Sequence, residues 1–240
     1  GTRPYQQLVG GATADNGKFT ACHIGTSNSG VATDSAAAIH VFSKKAWSIG
    51  VDHGHLPTTS TITATKSNGV QLQEIDGRPA LAVYREHAKA RNISIDTEEA
   101  LRSYLVRFPI GVFFYENLTH IRSPFATLPD GSLICGGVIP QGARICILGA
   151  STNELVQAAT TAAEAAKAGL EGEAAGVMAF SCFGRSQTLG PRQQDEIEAI
   201  RKVFPSAPII GFSSYGEIAR YRGALDGFHN NTMVVVAIPA

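Results

Sequence analysis

The chain has 240 residues, 44% of them hydrophobic and 17% charged, with 20 Lys+Arg against 20 Asp+Glu. That length buries a large core in one domain or two, and a balanced, scattered charge excludes a nucleic-acid binder, whose basic residues gather on one face. No apolar run reaches the roughly 20 residues of a spanning helix, and no charged start precedes an apolar segment, so neither a membrane partner nor a signal peptide is expected.

From the N-terminus, residues 18–25, 35–42 and 46–52 are rich in β-branched, aromatic and small apolar residues and predict strands. Residues 60–66 and 70–75 predict a hairpin across Ser67-Asn68-Gly69. Pro79 suits the start of a helix reaching about Ala90, and Asp96 or Thr97 caps a second over 97–108 with Leu101, Leu105 and Phe108 on one face. Residues 110–115, 120–128, 132–138 and 143–149 then read as an antiparallel meander broken by Pro129-Asp130-Gly131 and Pro140-Gln141-Gly142. Ser151 and Glu154 make a capping signal before an Ala-rich helix that ends at Gly169. A strand at 176–182, a helix at 191–204 and strands at 208–213 and 232–238 follow. The order predicts an α+β fold of mixed, largely antiparallel sheets with packing helices. Two sub-domains are expected, 1–108 and 109–240.

Cys22, Cys135, Cys146 and Cys182 form no CxxC pair and no zinc spacing, and a chain this apolar needs no disulfide staples. Reduced thiols in the cytoplasm are the expectation. Two strand exits concentrate chemistry: Ser181-Cys182-Phe183-Gly184-Arg185, and Gly211 through Glu217. If their strands are neighbours, Cys182, Arg185, Tyr215 and Glu217 surround one crevice. Arg185 offers a carboxylate a planar fork, Glu217 accepts from an ammonium, Tyr215 adds a ring face and a hydroxyl, and Asn230 or Asn231 satisfies the remainder. Such a set suits an amino-acid-like zwitterion; the plainer alternative is a structural Arg185–Glu217 salt bridge. His229 adds an imidazole beside Asn230. His53 and His55 share a face if they lie on a strand, but no third metal ligand is evident, and histidines shaping a turn before Pro57 are the simpler reading. Cys182 has no legible base, so an enzyme using Cys182 or Glu217 is the rival reading rather than the preferred one. No phosphate-binding glycine loop is present.

Gly10-Gly11-Ala12-Thr13-Ala14-Asp15 with Lys18-Phe19, His53-Gly54-His55-Leu56-Pro57, and Asp76-Gly77-Arg78-Pro79-Ala80-Leu81 with Tyr84 resemble the N-terminal region of the FIST family. Residues 181–185, Gly211 through Glu217, and Phe228-His229-Asn230 resemble its C-terminal region, in the same order. Members usually carry more chain before the first motif, so residues 1–108 are taken as a partial N-terminal region. The resemblance implies a non-catalytic, bacterial-type sensory domain. It would bind a small ligand such as an amino acid and act on a signalling protein partner. It also raises haem and nitric-oxide sensing as an alternative, with His53, His55 or His229 as axial ligand.

Overall fold

The computed structural model describes residues 6–27, 30–115, 118–220 and 227–240. The fold is α+β, and two cores carry it. In the first, strands among the described residues run in the order Leu118–Arg122, Ile110–Tyr115, Arg144–Gly149, Ile62–Asn68, Gln71–Ile75, Leu133–Cys135, Pro124–Thr127. Leu56–Pro57 and Arg78–Pro79 add short pairings to this sheet. Gly69, at φ +58°, turns the hairpin within it. Helices α1 (Ala80–Lys89) and α2 (Glu98–Arg107) lie on one face, and the Thr97 side chain caps α2 by accepting from Ala100 N. Leu72, Ile75, Tyr84, Leu105, Ile110, Leu133, Ile145 and Ile147 fill the space between sheet and helices.

The second sheet orders Ile209–Ser214, Ala174–Cys182, Met233–Pro239 and Ser48–Asp52. Helix α3 (Thr152–Ala168) covers it, capped by reciprocal bonds between Ser151 and Glu154. Its alanines 159, 162, 163 and 166 pack on Val177 and Val235. Small residues are needed because a Cβ on Gly50 of the edge strand would overlap Ala162 O. Helix α4 (Phe183–Leu189) starts directly at the end of the Ala174–Cys182 strand, and α5 (Gln193–Val203) returns the chain to Ile209–Ser214. A smaller sheet joins Leu8–Gly11, Glu217–Arg220 and Phe228–His229.

Three strand expectations are corrected. Residues 35–42 form no strand: among the described residues no strand pairs with them, and Ile39 and Phe42 are 91% and 88% exposed. Of residues 18–25 only the end enters a strand, Ile24–Thr26, which pairs with Gly30–Ala32. The run 120–128 breaks at Ser123, its halves joining opposite edges of the first sheet, and the 62–75 hairpin inserts between strands of the expected meander. The sequence reading also passed over α4 and the strand Glu217–Arg220.

Gly50→Val forces the edge strand away from α3 and is expected to cost about 1–3 kcal/mol. Gly69→Ala meets nothing within 4 Å and costs only the strain of its left-handed backbone, about 1–2 kcal/mol. Urea unfolding of both variants checks this: a smaller loss at residue 50 than at 69 would show that the helix–sheet spacing does not limit the fold.

Candidate functional site

The strands Ala174–Cys182 and Ile209–Ser214 are parallel neighbours with Cys182 opposite Ser214, so their exits meet at one end of the sheet, as the crevice expectation required. What gathers there differs from it. Arg185, in the first turn of α4, is fully buried and faces inward. Its Nε donates to Glu196 Oε1 at 2.8 Å, and Nη2 donates to the same oxygen and to Leu155 O at 2.7 Å. Nη1 donates to His53 O at 3.0 Å and Asn231 O at 3.4 Å. A guanidinium has five N–H donors. All five are engaged, and the carboxylate partner is Glu196 rather than Glu217. The other Glu196 oxygen accepts from Ser181 Oγ at 2.9 Å.

Glu217 is buried beside Cys182. It accepts from Ser214 Oγ at 2.7 Å and Thr232 N at 3.2 Å, and it hydrogen-bonds the Cys182 thiol. Burial outweighs these bonds and pushes its pKa up to about 8. Desolvation and then the Glu217 charge push the Cys182 thiol well above its usual range, the reverse of an activated nucleophile.

Above this floor lies a cavity of about 430 Å³. Cys182, Tyr215 and Asn230, three of the expected residues, line it. Glu99, Arg102 and Val106 come from α2, Phe183 and Gln187 from α4, and Phe125 and Ser123 from the first sheet's margin. The roof is the segment 16–19. Tyr215 OH donates to Asp15 and accepts from Gly17 N at 2.7 Å, while Asp15 Oδ1 accepts from Phe19 N at 2.8 Å. Asp15 Oδ2 accepts from Thr20 N at 2.7 Å and Ala21 N at 3.1 Å. The Tyr215 bond, then these amides, hold the Asp15 carboxyl far below the usual range. Phe19 stacks on Tyr215 at 4.4 Å and on Phe125 at 5.4 Å. Asn230 faces the cavity with Nδ2 bonded to His229 O at 3.0 Å, whereas Asn231 is a tie, its Nδ2 donating to Val106 O and Ser123 Oγ.

The histidines lie elsewhere. His55 N donates to His53 Nδ1 at 2.9 Å, and His55 Nδ1 meets His53 O, so the two shape a turn. Burial lowers the pKa of both, that of His55 to about 3. His229 Nε2 lies 3.0 Å from Ala219 O, and its ring stacks on His120. No histidine lines the cavity, and its one sulfur is a thiol held protonated, so these residues do not fit haem. No cluster of three metal-ligating side chains occurs among the described residues. Phe125, Glu99 and Arg102 have no signal in the sequence, and Asp15 and Phe19 enter it only as part of a family motif, without their role in the roof.

This roofed cavity joins segments from both ends of the chain, and the family matches do the same. The FIST N domain matches residues 3–78 and the FIST C domain residues 80–220. The chain belongs to the FIST family, whose domains serve sensory signal transduction. It is 29% identical over 188 residues to uncharacterized proteins of Mycobacterium bovis and of Mycobacterium tuberculosis, covering 74% of this chain and 47% of each relative. The chain therefore spans about half the length of the curated relatives it matches. No helix among the described residues is long and apolar enough to cross a membrane.

Two predictions follow from the buried charges. Arg185→Ala strands Glu196 and is expected to cost about 3–5 kcal/mol with no ligand present; unfolding within about 1 kcal/mol of wild type would remove the brace. Glu217 has a folded pKa raised from 4.5 to about 8, so the folded state holds the extra proton. Its contribution is full below pH 4.5 and is lost as pH rises toward 8, at about 1.4 kcal/mol per unit. The depressed His55 acts oppositely and only below its ordinary 6.5. Denaturation between pH 6.5 and 8 should therefore show wild type losing stability and Glu217→Gln holding level.

Proposed function

We propose that the chain is a non-catalytic sensory domain that binds a small amino-acid-like molecule in this cavity and passes its occupancy to a signalling protein partner. The observation that carries the reading is the pairing of an aromatic-lined cavity of about 430 Å³ with opposite charges at its rim. Binding sites for small molecules are of this size, mostly apolar, with a few placed polar groups. Glu99 and Arg102 sit three residues apart on α2 and both line the cavity. The Arg102 fork suits a carboxylate and Glu99 an ammonium, while Ser123, Gln187 and Asn230 offer hydrogen bonds. Arg102 is free to turn inward, since its ion pair with Glu98 is half exposed and worth little. The role assigned from sequence to Arg185 and Glu217 passes to this rim pair. Four unpaired cysteines accord with a reducing, cytoplasmic setting.

Isothermal calorimetry against an amino-acid panel tests the reading. At least one member is expected to bind saturably, and Arg102→Ala to weaken it about 10- to 100-fold, the value of a charged hydrogen bond, with unchanged melting. Unaltered affinity in that variant would remove the rim pair from the site; turnover lost in Cys182→Ser with the fold intact would favour an enzyme.

A further inference from the structure

Phe19 is an unusual wall for a binding site. Its backbone is left-handed, at φ +54°, a conformation that bulky side chains rarely adopt. The strain is held by Asp15, which takes the amides of residues 19, 20 and 21. The segment from Ala12 to Ala21 belongs to no helix or strand, and Gly17 within it has φ +84°. That loop delivers one phenyl ring between two others. Phe19 lies nearly parallel to both, 13° from Tyr215 and 10° from Phe125, while Phe183 meets Tyr215 edge-on. Yet the residue remains 49% exposed. A ring wholly part of a core would be buried; this one half fills a slot whose other side is the cavity.

We infer that the ligand carries a planar ring of one or two fused cycles, and that this ring takes the place of Phe19 between Tyr215 and Phe125. The inference rests on the cavity being the ligand site. Offset stacking of flat rings is favourable for any aromatic face, so the slot selects planarity. Ser123, Gln187 and Asn230 lie around it to hydrogen-bond the edge of a heteroaromatic ring. The replacement also supplies the sensor's output. Phe19 leaves with its loop, because Asp15 holds the amides of residues 19–21 as one unit; its departure breaks the Tyr215 OH bonds to Asp15 and Gly17 N. Occupancy thus becomes a segment 15–21 released from Tyr215, with the already exposed Lys18 at its centre. A ligand moves such an equilibrium only through contacts it makes in one state alone, and here those contacts are the two ring faces that Phe19 vacates.

The test compares L-tryptophan, indole and L-leucine by calorimetry on wild type, Phe19→Ala and Phe125→Ala, and follows trypsin cleavage after Lys18 in wild type. Tryptophan and indole are expected to bind and leucine not. Phe19→Ala should bind the ring compounds about tenfold tighter, equivalent to 1.4 kcal/mol, since its own ring no longer competes; Phe125→Ala should weaken them. Saturating indole should hasten cleavage after Lys18. Leucine binding as tightly as tryptophan overturns the ring class and leaves the cavity reading standing. Weaker ring binding by Phe19→Ala, or slower cleavage with indole, overturns the displacement and makes Phe19 a wall of the site. Failure of all three compounds on every variant overturns the ring class, and the cavity reading falls too if the wider amino-acid panel is also silent.

Discussion

One buried guanidinium organises the end of the molecule where the cavity forms. Arg185 reaches Glu196 on α5, the first turn of α3 through Leu155 O, the turn at His53 and the turn at Asn231. No single apolar contact could do this, because only a charged donor fork meets a carboxylate and three carbonyls from separate segments at once. Desolvating it is costly, and the cost is offset only while every partner stays in place. Its geometry therefore fixes where α4 leaves the sheet, and with it the positions of Cys182, Phe183 and Gly184.

The same end is where the two cores meet. Asn231 bonds the last turn of α2 and Ser123, Arg122 Nη1 donates to Phe228 O, and the Asn230 side chain leaves room for no Cβ at Gly136. The cavity sits at this seam and takes walls from both bodies, α2 from the first and α4 from the second. The small sheet of Leu8–Gly11, Glu217–Arg220 and Phe228–His229 adds a third set of segments, and it ties the roof loop to the floor through Ala12 and Tyr215.

Local chemistry was legible in the sequence wherever a short stretch determined it. The Ser151–Glu154 cap, Pro79 and the Gly69 turn stand where their residues require, Thr97 is the cap of the two candidates Asp96 and Thr97, and the two strand exits do converge. Partner choice was not legible. Arg185 and Glu217 each sit among glycines and aromatic residues near a strand end, which made them look like one pair. The true partner, Glu196, lies on a helix whose other charges are ordinary surface groups, and nothing in the pattern of α5 marks it as the inward one. The stacking of Phe19 on Phe125 was missed for a related reason. An aromatic residue in a loop carries no period, and stacking across such sequence separation is visible only in three dimensions.

The second sheet has a history written into its strand order. Among the described residues its edge strand Ser48–Asp52 pairs only with Met233–Pro239, which is made long after it, and that late strand also completes the pairing of Ala174–Cys182. On the ribosome the early strand must wait, with Ile49 and Val51 unsheltered, while the residues of the first core emerge and fold around local hairpins. Pairings this distant close slowly, and waiting apolar strands are what holding chaperones recognise. Synthesis speed and chaperone supply, rather than equilibrium stability alone, would then set the yield of this protein in a cell.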